Sequence, residues 1–87
     1  MNFEYDERKS LSNKNKHGLD FVEAQALWDD ERLFEAHIST SQEPRCLVIG
    51  KIASKHYSAV ITIRGDNVRL ISVRRSRVKE IEIYEKD

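Results

Sequence analysis

Residues 57–63 and 68–74 are two runs rich in β-branched side chains, and Arg64-Gly65-Asp66-Asn67 stands between them. No other feature limits the fold of this chain as much. Glycine, aspartate and asparagine tolerate backbone conformations that other residues resist, so the pattern predicts a tight β-hairpin with Arg64 opposite Arg69. Residues 46–52 repeat the β-branched habit and read as a further strand. Residues 33–38 read as another, followed by a polar turn over 39–44. Phe3-Glu4-Tyr5 alternates apolar and polar and is short, as an edge strand is. A sheet of this kind has an apolar face that helices must cover.

The signals for helices lie mainly in the first third of the chain. Asp6 predicts an N-cap for a helix over 7–17, Lys14, Lys16 and His17 suit its C-terminal dipole, and Gly18 suits the left-handed residue that ends it. Leu11 is the only large apolar residue within that helix, which predicts weak packing and a mostly solvated surface. Asp20 and Glu23 have the spacing of a capping box. Phe21, Ala24, Leu27 and Trp28 supply the apolar stripe of a second helix, which ends near residue 27 or 28 because the acids 29–31 oppose a helix C-terminus. Ser76 predicts the cap of a last helix through about residue 85, with Val78, Ile81 and Tyr84 on one side. The order β-α-α-β-β-β-β-α predicts a small α+β domain: a mostly antiparallel sheet packed by two N-terminal helices and one C-terminal helix.

The 87 residues are expected to form one domain spanning 1–87. Cys46 is the only cysteine, which excludes an internal disulfide and fits a reducing cytosol. No apolar run is long enough to cross a membrane, and the N-terminus lacks the form of a secretion signal. The expected location is therefore cytoplasmic, with no membrane partner. His17, His37, His56 and Cys46 lack the spacing of zinc ligands. Phosphate-binding glycine loops and a serine-nucleophile elbow are also missing, so neither a metal nor a cofactor is expected.

A formal net charge of zero conceals strong segregation. Acids dominate residues 1–7, 20–43 and 80–87, whereas residues 8–19 hold Arg8, Lys9, Lys14 and Lys16 with no acid. Residues 44–79 carry nearly all the other bases against Asp66 alone. If the two basic blocks meet, they form a face for a polyanion that net charge hides. Strand alternation places Val68, Leu70, Ser72 and Arg74 on one face, and Arg69, Ile71, Val73 and Arg75 on the other. That parity separates Arg69 from Arg74 unless a bulge intervenes. In the first helix Lys9, Asn13 and Lys16 form a stripe with His17 at its edge, suited to phosphates or equally to plain solvent. Arg77 and Lys79 begin the last helix, where cations oppose the dipole and an anion nearby would relieve them.

Phe3-Glu4-Tyr5-Asp6, Lys9, Asn13, Lys16-His17-Gly18, Phe21 and Glu23-Ala24 resemble the N-terminal signature of the BrnT family of ribonuclease toxins. Residues 45–50, R-C-L-V-I-G, are similar to that family's R-x-x-x-I-G strand. Residues 69–74 with Arg75, Glu80 and Tyr84 resemble its closing R-x-I-S-A-R…E…Y segment. Val73 stands where a small alanine is usual. The resemblance implies a RelE-like toxin of a type II toxin–antitoxin system that cuts RNA to arrest growth. It also implies a BrnA-type ribbon-helix-helix antitoxin, with operator DNA bound only through that complex.

RNA cleavage without a metal needs a base for the 2′-OH, cations on the phosphorane oxygens and an acid for the leaving 5′-oxygen. Arginine suits the middle task through permanent charge and paired hydrogen bonds. The expected catalytic residues are Arg64, Arg69 and Arg74, with His17 as acid or base and Glu4 or Glu80 as base or orienting group. Lys9, Asn13, Lys16, Arg75, Arg77 and Tyr84 are expected to contact RNA, where a tyrosine such as Tyr84 can stack a base. The same basic residues would also serve a non-catalytic nucleic-acid-binding module or a protein-interaction domain.

Overall fold

The computed structural model describes residues 1–39 and 43–86, so residues 40–42 of the expected turn lie outside the described residues. The elements run β1 Asn2–Glu4, α1 Glu7–His17, a 3₁₀ helix Glu23–Asp29, β2 Phe34–Ser39, β3 Arg45–Ile52, β4 Lys55–Arg64, β5 Asn67–Arg75 and α2 Val78–Glu85. One five-stranded sheet has the order β1-β5-β4-β3-β2. Only the β1–β5 pair is parallel, so the expected α+β domain with a mostly antiparallel sheet is present.

The first helix begins and ends where its caps dictate. The Asp6 carboxylate accepts from the backbone N–H groups of Arg8 at 2.8 Å and Lys9 at 3.2 Å. Gly18 closes the helix at φ 80°, a conformation that a Cβ would strain. Packing of α1 departs from the expected apolar logic. Leu11 is 68% exposed, and the buried residues of the helix are Ser10 and Asn13. Ser10 Oγ accepts from Phe21 N–H at 2.9 Å. The Asn13 amide donates to the carbonyls of Leu19 at 2.7 Å and Val73 at 2.8 Å and accepts from Val73 N–H at 3.2 Å. Asn13 thus meets both backbone groups of Val73, as a neighbouring strand would. Each such bond contributes about 0.5–1.5 kcal/mol net, so polar docking replaces the missing apolar stripe.

The second helix is 3₁₀, not α, although the capping box between Asp20 and Glu23 forms with bonds of 2.7 and 2.9 Å. Phe21, Ala24 and Leu27 from this segment lie fully buried against Val48, Ala59, Ile61, Val68, Leu70 and Val73 of the sheet. The cap of α2 is Arg77, one residue later than the expected Ser76. Ser76 instead exchanges a hydroxyl hydrogen bond of 2.8 Å with Ser58.

Strand parity changes within β5. Ile61 pairs with Leu70 and Val60 with Ser72, so Ile71 is an extra residue without a partner on β4. Beyond this bulge the alternation inverts. Val68, Leu70 and Val73 face the core, while Asn67, Arg69, Ser72 and Arg74 share the opposite face with Ser58, Val60, Thr62 and Arg64. The expectation that Arg69 and Arg74 oppose each other is therefore corrected. Burying Val73 stabilises by about 1.5–3 kcal/mol, and an unshifted register would drive an arginine into the core at greater cost. A bulge that disturbs one or two ladder bonds is the smaller penalty. The hairpin register also differs from expectation: Arg64 pairs with Asn67, and Thr62 with Arg69. Gly65 supplies φ 62° at the turn between them.

Candidate nucleic-acid interface

Two carboxylates stand at opposite ends of the arginine-bearing face. At the hairpin end, β1 places Glu4 beside Arg69 in register. Glu4 Oε2 accepts from Asn67 Nδ2 at 2.9 Å, while Glu4 Oε1 lies 3.4 Å from Arg69 Nη1 and 3.6 Å from Arg64 Nη1. The Asn67 hydrogen bond first, and then the two guanidinium charges, hold the Glu4 carboxyl below the usual carboxylate range. One acid thus shares itself between two arginines, and the Arg64 side chain remains 58% exposed.

At the other end, α2 brings Glu80 onto Arg74. Arg74 Nη1 and Nη2 donate to the two Glu80 oxygens at 2.8 and 2.7 Å. Ser58 Oγ, at 2.9 Å, and Arg77 N–H, at 2.8 Å, also donate to Glu80 Oε1. Burial opposes ionisation here, yet the Arg74 bonds outweigh it and hold the Glu80 carboxyl at about 2. A carboxylate held so low is a poor proton acceptor near neutrality. Its geometry is that of a group that orients an arginine.

Between these ends, α1 and β5 enclose a cleft of about 210 Å³ lined by Lys9, Ser12, Asn13, Lys16, His17, Ile71 and Ser72. Ile71 and Ser72 lie between Arg69 and Arg74 in β5, so the cleft adjoins the arginine face midway along it. Among the described residues, no carboxylate lines the cleft. The lining lysines come from one side of α1; Lys14, on another side, is paired with Glu23 at 2.9 Å.

The expected site residues therefore fall into separate groups. Arg64, Arg69 and Glu4 meet, Arg74 and Glu80 meet, and Lys9, Asn13, Lys16 and His17 meet at the cleft. The two arginine groups lie about 13 Å apart along the strand, taking four ladder steps at the usual rise. Asn13 forms part of the cleft wall, but its amide is engaged by the backbone. Arg75 faces away, with its guanidinium 5.7 Å from the Tyr57 ring centre. Arg77 gives its backbone N–H to Glu80. Tyr84 is only 5% exposed, its hydroxyl donates to Asp30 Oδ2 at 2.6 Å, and burial followed by that bond pushes its pKa up to about 12.

Ser58, Asn67 and Ser72 belong to this surface, and sequence reasoning assigned them no part in it. Asn67 reads only as a turn residue, and the two serines read only as strand positions. Asn67 meets Glu4 of β1, Ser58 meets Glu80 of α2, and Ser72 lines the cleft together with α1, all far away in sequence. Among the described residues, no three His, Cys, Asp or Glu side chains gather as metal ligands, and no helix is long and apolar enough to cross a membrane. Residues 5–80 match the family model described as "Ribonuclease toxin, BrnT, of type II toxin-antitoxin system". Among curated proteins, none matches the chain.

Proposed function

Because the chain belongs to the BrnT family of ribonuclease toxins of type II toxin–antitoxin systems, we propose that it cuts RNA internally without a metal ion. The observation that carries this reading is the placement of Arg64, Arg69 and Arg74 on one sheet face by the bulge at Ile71. The 2′-oxygen attacks the adjacent phosphorus, the bond from phosphorus to the 5′-oxygen breaks, and a 2′,3′-cyclic phosphate remains. His17, at the cleft, accepts the 2′-OH proton, and the departing 5′-oxygen takes a proton from solvent at the open face. Arg74, aimed by Glu80, binds charge that grows on the phosphorane oxygens, where a preorganised donor contributes about 2.7–4 kcal/mol. Arg64 and Arg69, about 13 Å along the strand, hold a neighbouring phosphate of the same RNA. Glu4 and Glu80 hold guanidiniums in place and do not serve as bases, since their hydrogen bonds keep both carboxyls low. Lys9 and Lys16 hold the substrate strand. Arg75, Arg77, Asn13 and Tyr84 support the fold around it.

The substrate is cellular RNA in the cytoplasm, and cutting arrests growth. The partner is a BrnA-type ribbon-helix-helix antitoxin that covers the basic face, and operator DNA is bound only through that complex. Purified, antitoxin-free protein incubated with RNA in EDTA tests the reading. The expected products are internal cuts ending in 2′,3′-cyclic phosphates, with His17→Ala slower by about 10²–10⁴-fold. RNA left intact over a broad range of protein concentrations would overturn it.

A further inference from the structure

The cleft between α1 and β5 has features that bulk phosphate attraction does not require. Its lining combines two lysines and an imidazole with the hydroxyls of Ser12 and Ser72 and one aliphatic side chain, Ile71. Lys16 and His17 make no side-chain hydrogen bond or ion pair among the described residues, and neither does the Lys9 ammonium. By contrast Lys14, on the same helix, is held by both Glu23 oxygens at 2.9 and 3.0 Å. Among the described residues, the lysines that line the cleft are thus unpaired, and Lys14, which does not line it, is neutralised. Asn13 ties the wall to both backbone groups of Val73, so this side of the cleft is fixed before any ligand arrives. The bulge presents Ile71, half-buried, as an apolar surface beside these donors.

The geometry points to a subsite for a single nucleotide bearing a phosphate, formed by Lys9, Ser12, Lys16, His17, Ile71 and Ser72. A volume of about 210 Å³ is below the ~300–1,000 Å³ of pockets that bury a whole drug-sized ligand, so the cleft has room for no more than part of one nucleotide, the rest of which stays in solvent. The lysines take the phosphate as point charges, the hydroxyls bond the sugar or a base edge, and Ile71 gives the base an apolar contact. This inference rests on the ribonuclease reading and deepens it. The substrate is a single strand, because a base paired in an A-form helix cannot present its face to Ile71.

Amide NMR spectra of the intact protein test this with nucleoside 3′-monophosphates, the matching nucleosides and inorganic phosphate as probes. Nucleotides are expected to move the amides of Lys9, Ser12, Lys16, His17, Ile71 and Ser72, with nucleosides binding about tenfold more weakly. The double variant Lys9→Ala/Lys16→Ala should lose about tenfold in nucleotide affinity while Lys14→Ala keeps it, with the spectra themselves reporting that both remain folded. Cleft amides that stay still, inorganic phosphate that binds as well as the nucleotides, or an equal loss in Lys14→Ala would each overturn the subsite. If RNA is not cut but nucleotides still fill the cleft, the ribonuclease reading fails and the subsite stands. Normal cutting with a silent cleft is the reverse result: it sinks the subsite, and with it the roles given to Lys9, Lys16 and His17, while RNA cleavage itself stands.

Discussion

At one end of β5, Arg74 meets Glu80 through two hydrogen bonds of 2.8 and 2.7 Å, while at the other Glu4 lies 3.4 Å from Arg69 and 3.6 Å from Arg64. The first pair is closed. Its guanidinium has a dedicated carboxylate, and that carboxylate, 14% exposed, is further bonded by Ser58 and Arg77. The second group is open, with one acid divided between two cations that reach into solvent. Similar residues therefore do different work. A closed pair anchors α2 to the sheet and aims one guanidinium, whereas an open group keeps spare cationic capacity for an anion.

Replacing Arg74 should separate the two ends most sharply. Arg74→Ala leaves a largely buried carboxylate short of its main partner, and we expect a loss of about 2–3 kcal/mol in denaturant unfolding, below the range for fully buried pairs. Its RNA cleavage should also fall by about 10²–10³-fold. Unchanged stability in this variant would erase the distinction. Arg69→Ala should lose cleavage by about 10²-fold while its unfolding midpoint stays at the wild-type value, because its pairing is long and half-exposed. A midpoint lowered as far as that of Arg74→Ala would show that both ends are structural.

Acid titration offers a third comparison. The Glu80 carboxyl is depressed from an ordinary 4.5 to about 2, so the unfolded chain binds this proton more readily than the folded one. The stabilisation is therefore complete above about pH 4.5 and disappears as the pH falls towards 2. It amounts to roughly 3 kcal/mol. Glu80→Gln should flatten this limb of the stability curve, and Glu4→Gln should leave it nearly as in wild type. The smallest effect expected is on RNA affinity: Glu4→Gln frees Arg64 and Arg69 and should tighten binding about twofold at low salt, fading as salt rises. Weaker binding in that variant would mean that Glu4 orients the arginines more than it competes for them.

Much of this arrangement was legible in the residues. Asp6 and Gly18 bounded α1, Gly65 marked the hairpin, and the capping box of Asp20 and Glu23 formed even though the helix it opens is 3₁₀. The glutamates, histidine and arginines proposed for the chemistry, at Glu4, His17, Arg64, Arg69, Arg74 and Glu80, could be named from the sequence, but not how they group. What alternation could not show was the bulge. One unpaired residue reverses every later side chain in a strand, and nothing local marks Ile71 as that residue. Nor did helical periodicity reveal that Asn13 points inward, since a polar residue at a helix surface normally faces water.

Composition and pattern by themselves determined the element order, the sheet and the segregated basic blocks, because these depend on periods and caps within short windows. Tertiary structure decided which cations share a face, which of them are neutralised and where the cleft opens. Those outcomes depend on partners up to 65 positions apart, as between Glu4 and Arg69. They also depend on the burial of Val73, which sets the register that brings Arg69 and Arg74 to the same face.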